Sequence, residues 1–170
     1  MPTPTYWGLN LYMNPGSNNA NDGRFDSTTL QTASSPNGPW GPPPGTNTAS
    51  KFTCAPGDYL RISVIDLTNT ISSNSMTMAA VFGRDNAGGG GGSKSSPFTS
   101  ANGHVNCVVP GTNPTIIVVN GNNQNAWWTG DQAVQSASGN YRFLIFVVAS
   151  VGNVQWEFGH DPEMDVSGQK

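Results

Sequence analysis

NYRFLIFVVASVGNVQWEFGHDP, residues 140–162, contains the longest unbroken apolar run in the chain, and its reading decides the fold class. Arg142 is its only charge before Glu157. Successive side chains of an extended strand point to opposite faces. Tyr141, Phe143, Ile145 and Val147 therefore fall on one side, and Leu144, Phe146 and Val148 on the other. A strand apolar on both faces is expected in the middle of a sheet, covered on each side. Val151-Gly152-Asn153 reads as a hairpin turn, because Gly and Asn accept positive φ. In the return strand, residues 154–158, Val154, Trp156 and Phe158 are expected inward, with Gln155 and Glu157 outward. His160 beside Asp161 has the composition of a general base with an orienting carboxylate. Neighbours on a strand face opposite ways, however, while Asp accepts local backbone bonds and Pro162 cannot donate to a ladder. The Gly-His-Asp-Pro end is thus expected to stop the strand and not to perform chemistry.

The same period of two recurs further out. In residues 6–13, Trp7, Leu9, Leu11 and Met13 share one face, and Tyr6, Gly8, Asn10 and Tyr12 the other. A shorter strand is expected near 25–30. Residues 51–55 lead into the turn Pro56-Gly57-Asp58 and the strand 59–67, with Leu60, Ile62 and Val64 inward. Met76, Met78, Ala80 and Phe82 alternate likewise, and residues 105–109 and 115–119 read as buried strands. Residues 33–48, ASSPNGPWGPPPGTNT, hold five prolines and three glycines and are expected as a stiff extended loop crossing between sheets. A second, Gly-rich loop spans 87–97. Residues 132–138 offer at most one or two helical turns. About eight strands joined by long polar loops point to a single all-β domain over 1–170. The expected architecture is an antiparallel β-sandwich of jelly-roll or immunoglobulin-like type.

Composition narrows the function. Charged residues make up 10% of the chain and the net charge is −3, while 19 Asn, 17 Ser and 15 Thr fill the polar positions. A surface of neutral amides and hydroxyls repels neighbouring copies weakly, so a homo-oligomer is expected. The seven Lys and Arg are scattered singly, which disfavours nucleic acid as a partner. No apolar stretch reaches the roughly 18 residues that a membrane span requires, so no membrane insertion is expected. Met1-Pro2-Thr3-Pro4-Thr5 lacks the basic and apolar regions of a secretory signal, which points to the cytoplasm, with secretion after processing left open. Two cysteines, Cys54 and Cys107, are read either as separate thiols or as a single bridge.

Chemical motifs are sparse. The histidines are His104 and His160, and no nucleophile elbow, zinc motif or phosphate loop is present. No catalytic residues are assigned and no enzyme is expected. Asn18-Asn19-Ala20-Asn21-Asp22-Gly23 is rich in the oxygen ligands calcium prefers, with Asn18 and Asp22 at ligating positions, but Ala20 stands where a third ligand belongs. No other cofactor is indicated. Trp40, Trp127 and Trp128 lie in or beside polar loops, where an exposed indole can stack on a sugar ring while amides bond its hydroxyls. These three are the candidate ligand-binding residues, with glycans as the partner.

The layout GNYRFLIFVVAS…VQWEFGHDPEMDV resembles the closing hairpin of the AidA/PixA inclusion-body family of bacteria. Tyr141, Phe143, Phe146, Trp156, Phe158, Asp161, Pro162 and Val166 carry the likeness. A second likeness lies in FTCAPGDYLRISVIDLTNT…MTMAAVFG, through Phe52, Gly57, Asp58 and Arg61. Together they cover mainly residues 49–83 and 140–166. The family's Tyr-Pro-Asn-Pro-Ser-like opening segment is matched only by Asn14, Pro15 and Ser17, and His160 stands where its final turn carries an aromatic. The resemblance implies a β-sandwich without known catalysis, abundant and cytoplasmic, sometimes deposited as inclusions. The expected function is therefore a non-enzymatic, self-associating protein of the inclusion-body type. A lectin-like carbohydrate-binding module is the first alternative, and a shell or surface-assembly subunit the second.

Overall fold

A computed structural model of the protein describes residues 3–71, 76–85, 98, 115–120, 126–129, 131–134 and 139–167. For 76–85, 115–120, 126–128, 132 and 142–144 the description is of the backbone. The Gly-rich loop 87–97, the expected strand 105–109, Cys107 and residues 135–138 lie outside the described residues.

The all-β class holds. The strands are β1 (Tyr6–Met13), β2 (Ser27–Ala33), β3 (Lys51–Cys54), β4 (Tyr59–Asp66), β5 (Met76–Asp85) and β6 (Thr115–Asn120). They continue with β7 (Ala126–Trp128), β8 (Gln132–Ala133), β9 (Gly139–Val151), β10 (Val154–His160) and β11 (Glu163–Val166), and among the described residues there is one short helix, α1 (Asn18–Asn21). Gln132 and Ala133, expected at the start of a helical turn, are instead strand. One sheet has the order β2-β1-β4-β7, with β8 also on β4; the other has the order β3-β11-β9-β5-β6, with β10 also on β9. Purely antiparallel pairing was expected, and each sheet departs from it once. β1 runs parallel to β4, and β3 parallel to β11. Parallel neighbours need a long crossover. Residues 14–58, passing through β2 and β3, provide the one between β1 and β4.

The 140–162 stretch forms the centre of the six-stranded sheet. Val154 faces Val151 and His160 faces Ile145 across the hairpin, around the Gly152 turn with φ +58°. The expectation that Asp161-Pro162 ends the ladder is corrected here. Glu163 next pairs with Arg142 and Val166 with Gly139, so the strand resumes in unchanged register after two residues. Proline lacks the N–H the ladder would use, which accounts for the pause. Because no residue is inserted, the alternation survives, and Phe158, Met164 and Val166 all reach the core. Val154 does not. It stands 53% exposed at the hairpin tip, and Trp156 packs only partly against the core.

The core joins both sheets. Leu9, Leu11, Ile62 and Val64 from one sheet belong to the same buried cluster as Tyr141, Ile145, Val147 and Phe158 from the other. Trp7 of β1 stacks on Phe52 of β3 with ring centroids 6.0 Å apart, and Phe25 on Phe158 at 5.4 Å. Burying each such side chain contributes about 1.5–3 kcal/mol. Two buried carboxylates secure the strand ends. Asp58, 1% exposed, accepts the Thr5 N–H at 2.8 Å, the Trp7 indole N–H at 3.0 Å and the Ala55 N–H at 2.9 Å. It thereby ties the turn before β4 to the start of β1. Asp66 ends β4 and accepts the Thr68 hydroxyl at 2.6 Å and the Thr68, Thr70 and Ile71 N–H groups at 2.8–2.9 Å. Among the described residues no helix is long and apolar enough to cross a membrane.

Candidate functional site

The face of the five-stranded sheet turned away from the core carries the chemistry. Cross-strand pairing sets Tyr6 beside Tyr59, Gly8 beside Arg61, Asn10 beside Ser63 and Tyr12 beside Ile65. The Tyr6 and Tyr59 rings stack at 4.8 Å with 9° between their planes. The Tyr6 hydroxyl is held above its ordinary pKa by burial first, then by Tyr59 and the Asp131 carboxylate. Asn10 donates its amide to the Gln31 carbonyl oxygen at 3.2 Å and to the Thr29 hydroxyl at 3.5 Å.

Trp40 lies over this face because Gly8 leaves room for it. A Cβ at Gly8 would come within 3.0 Å of the indole. The Arg61 guanidinium sits 5.4 Å from the Trp40 ring centroid, a cation–π distance. Arg61 also forks onto Asp131 at 2.9 and 3.0 Å and donates to the Pro36 carbonyl at 3.2 Å. The Pro-rich segment runs from β2 in one sheet to β3 in the other, as expected of a crossing loop. It first doubles back, and Thr32 and Gly41 exchange backbone hydrogen bonds of 2.9 Å each.

Asp131 reaches Arg61 through a bulge. Trp128 pairs with Ser63, but Gln132 pairs with Leu60, so one extra residue is accommodated between β7 and β8. Thr129 repairs the ladder: its N–H donates to the Ile62 carbonyl, and its hydroxyl accepts the Ile62 N–H, both at 3.0 Å. Bulges re-aim the side chains that follow them.

Of the three candidate tryptophans, Trp40 is thus seated against Gly8 and Arg61. Trp128 occupies the register position opposite Ser63, two residues along β4 from Arg61, and Trp127 the position opposite Val64. Tyr6, Tyr59, Arg61 and Asp131 were not singled out from sequence as binding residues. The available signal was the alternation that places Tyr6, Gly8, Asn10 and Tyr12 opposite the core face.

The calcium candidates sit at the two ends of α1. Asn18 is its first residue, behind the Ser17 cap, whose hydroxyl accepts the Ala20 N–H at 3.1 Å. Asp22 follows its last residue and pairs with Arg24 at 2.9 Å, both side chains being exposed. The carboxylate that gathers this segment is Asp26. Hydrogen bonds from Asn19 and Asn14, and more weakly from Ser17, hold it below the ordinary carboxylate range against a small opposing effect of burial. Among the described residues, no three His, Cys, Asp or Glu side chains gather as a metal would require. The His160 Nε2 lies 3.2 Å from the Ala49 carbonyl, Asp161 is exposed, and Cys54 is buried.

The outward face of the six-stranded sheet differs in kind. β9 was expected to be covered on both sides, yet Phe146 is 39% exposed. Its cross-strand neighbours are Gly159 on β10 and Ala79 on β5, and Ala79 pairs in turn with Val118 on β6. Beyond Gly159 the row reaches Arg24, which bridges Gly159 and is ion-paired with Asp22. Above Gly159 the space is open: among the described residues, no atom beyond its chain neighbours lies within 4 Å of where a Cβ would be.

No protein-family model matches the chain, and no curated protein matches its sequence.

Proposed function

We propose that the protein is a non-enzymatic, self-associating β-sandwich whose copies meet through the outward face of the six-stranded sheet. Face-to-face packing of the sheets is supported by the Trp7–Phe52 stack and by a buried cluster drawn from both. The observation that carries the self-association is Phe146, an exposed ring in the middle of a central strand, beside the open space over Gly159. Exposed apolar groups gathered in one patch mark interaction surfaces, and Arg24 at the edge of this one is paired with Asp22. A projecting ring next to a hollow also suits a two-fold interface, in which the same patch meets itself and each ring fills the other copy's hollow. With 10% charged residues and a net charge of −3, little repulsion opposes the contact. Storage in the cytoplasm as inclusions, which the resemblance to the AidA/PixA family implies, belongs to the same reading. Light scattering coupled to size-exclusion chromatography over a concentration series tests it. Mass is expected to rise with concentration in the parent and to stay at one chain in Gly159→Leu, which fills the hollow. A mass in that variant that rises with concentration as the parent's does removes the two-fold contact.

A further inference from the structure

From the opposite face of the molecule we infer a second property, independent of self-association: the outward face of the five-stranded sheet binds a neutral polysaccharide. Three observations meet there. The Tyr6–Tyr59 stack has small residues on both flanks, since Ala33 pairs with Tyr6 and Ala133 with Tyr59. The outer side of each ring is therefore uncrowded by its cross-strand neighbour. An open groove of about 530 Å³ adjoins the pair, lined by Thr3, Thr5 and Ser34 and by the rings of Pro39, Pro42 and Pro44. Groove and rings are continuous in the fold. Ala33, the cross-strand partner of Tyr6, lines the groove, and Trp40 stands between the groove residues Pro39 and Gly41. Beyond Trp40 the strip continues into the Asn10, Gln31 and Thr29 amide and hydroxyl network.

The charge of the strip selects the ligand class. Its cation, Arg61, is forked onto Asp131, and the other side chains named here are uncharged. Apolar ring faces alternating with amide and hydroxyl groups match a chain of neutral sugars, which has C–H faces and many hydroxyls. An anionic polymer would require unpaired cations. A proline-rich peptide would use the aromatic ridges but leave the amide network idle.

Affinity electrophoresis in native gels tests the inference, with a soluble β-glucan, a galactomannan, a xylan, anionic polygalacturonate and, by tryptophan fluorescence, a polyproline peptide. Retardation is expected with at least one of the three neutral polymers and not with polygalacturonate. It should persist in Tyr6→Phe, which keeps the ring, and weaken at least tenfold in Tyr6→Ala. Tyr59→Ala serves as a second variant should Tyr6→Ala not fold. Retardation should also persist in Phe146→Glu, on the other sheet, which separates this property from self-association. Migration unaffected by all three neutral polymers, binding confined to polygalacturonate or polyproline, or full retardation in a folded alanine variant would each overturn the inference.

Discussion

Asp58 and Asp66 show how single buried carboxylates hold a chain with so few charges. Each is nearly inaccessible and surrounded by N–H or O–H donors, and a buried anion is tolerable only when hydrogen-bonded in this way. Asp58→Ala would strand the Thr5, Trp7 and Ala55 donors, so it is expected to destabilise by about 3 kcal/mol or more, at 1–3 kcal/mol per buried group left unpaired. Urea unfolding would measure it, and a loss under about 1 kcal/mol would mean the turn holds without its carboxylate. Asp66 adds a pH signature. Burial alone would raise its pKa, but the Thr68 hydroxyl and the Ile71, Thr68 and Thr70 N–H groups outweigh it and hold the carboxyl below the ordinary range. A carboxylate with a folded pKa below its unfolded value of about 4 stabilises fully above that value. The contribution then fades as pH falls through the folded pKa. Asp66→Asn is accordingly expected to lower stability at neutral pH by about 1.5–3 kcal/mol and to flatten the acid limb of the stability profile below about pH 4. Unfolding midpoints from pH 6 to pH 2 in both proteins would show this; parallel profiles would contradict it.

At the scale of elements, the closing hairpin and the Pro-rich loop were legible to different degrees. Alternation is a local signal, so the inward sets Trp7–Leu9–Leu11–Met13 and Leu60–Ile62–Val64 could be read without knowing any partner strand. Pairing is not local. β1 lies parallel to β4, and no property of either segment alone announces it. The Pro162 pause misleads for a related reason: a missing N–H ends a ladder unless the next residues find the same partner, and β9 is long enough to supply one. Burial along β10 also shifts the energetics toward its far end. Phe158→Ala, at a fully buried ring stacked on Phe25, is expected to cost about 3–5 kcal/mol, and Trp156→Ala less, being only partly buried. Chemical denaturation of both would rank them, and the reverse order would contradict the hairpin packing described. In the Pro-rich loop, stiffness could be read from five prolines, but its seat could not, because the Gly8 gap and the Arg61 side chain come from two other strands. Gly8→Ala would push a Cβ to 3.0 Å from the Trp40 ring and is expected to destabilise by about 1–3 kcal/mol through overpacking. Gly41→Ala, with open space around it, should change stability less; equal effects would separate the loop's seating from Gly8.

For the whole molecule, the two outward faces differ in kind. One is aromatic, amide-rich and internally neutralised around Arg61 and Asp131; the other is apolar around Phe146. Of the sugar-binding candidates from sequence, Trp40 lies over the first face and Trp128 holds a register position on it; tryptophan in a polar loop is a visible signal, and tyrosine on the outer side of a strand is not. The second face was misread because an all-apolar strand implies cover on both sides, without revealing whether its own chain or a second copy provides it. That distinction is the centre of the account, and Phe146→Glu tests it most directly. Light scattering with size-exclusion chromatography should show the parent's mass rising with concentration, while the variant stays at the mass of one chain with an unchanged thermal unfolding midpoint. A parent that remains a strict monomer at millimolar concentration, or a folded variant that associates as the parent does, would contradict it.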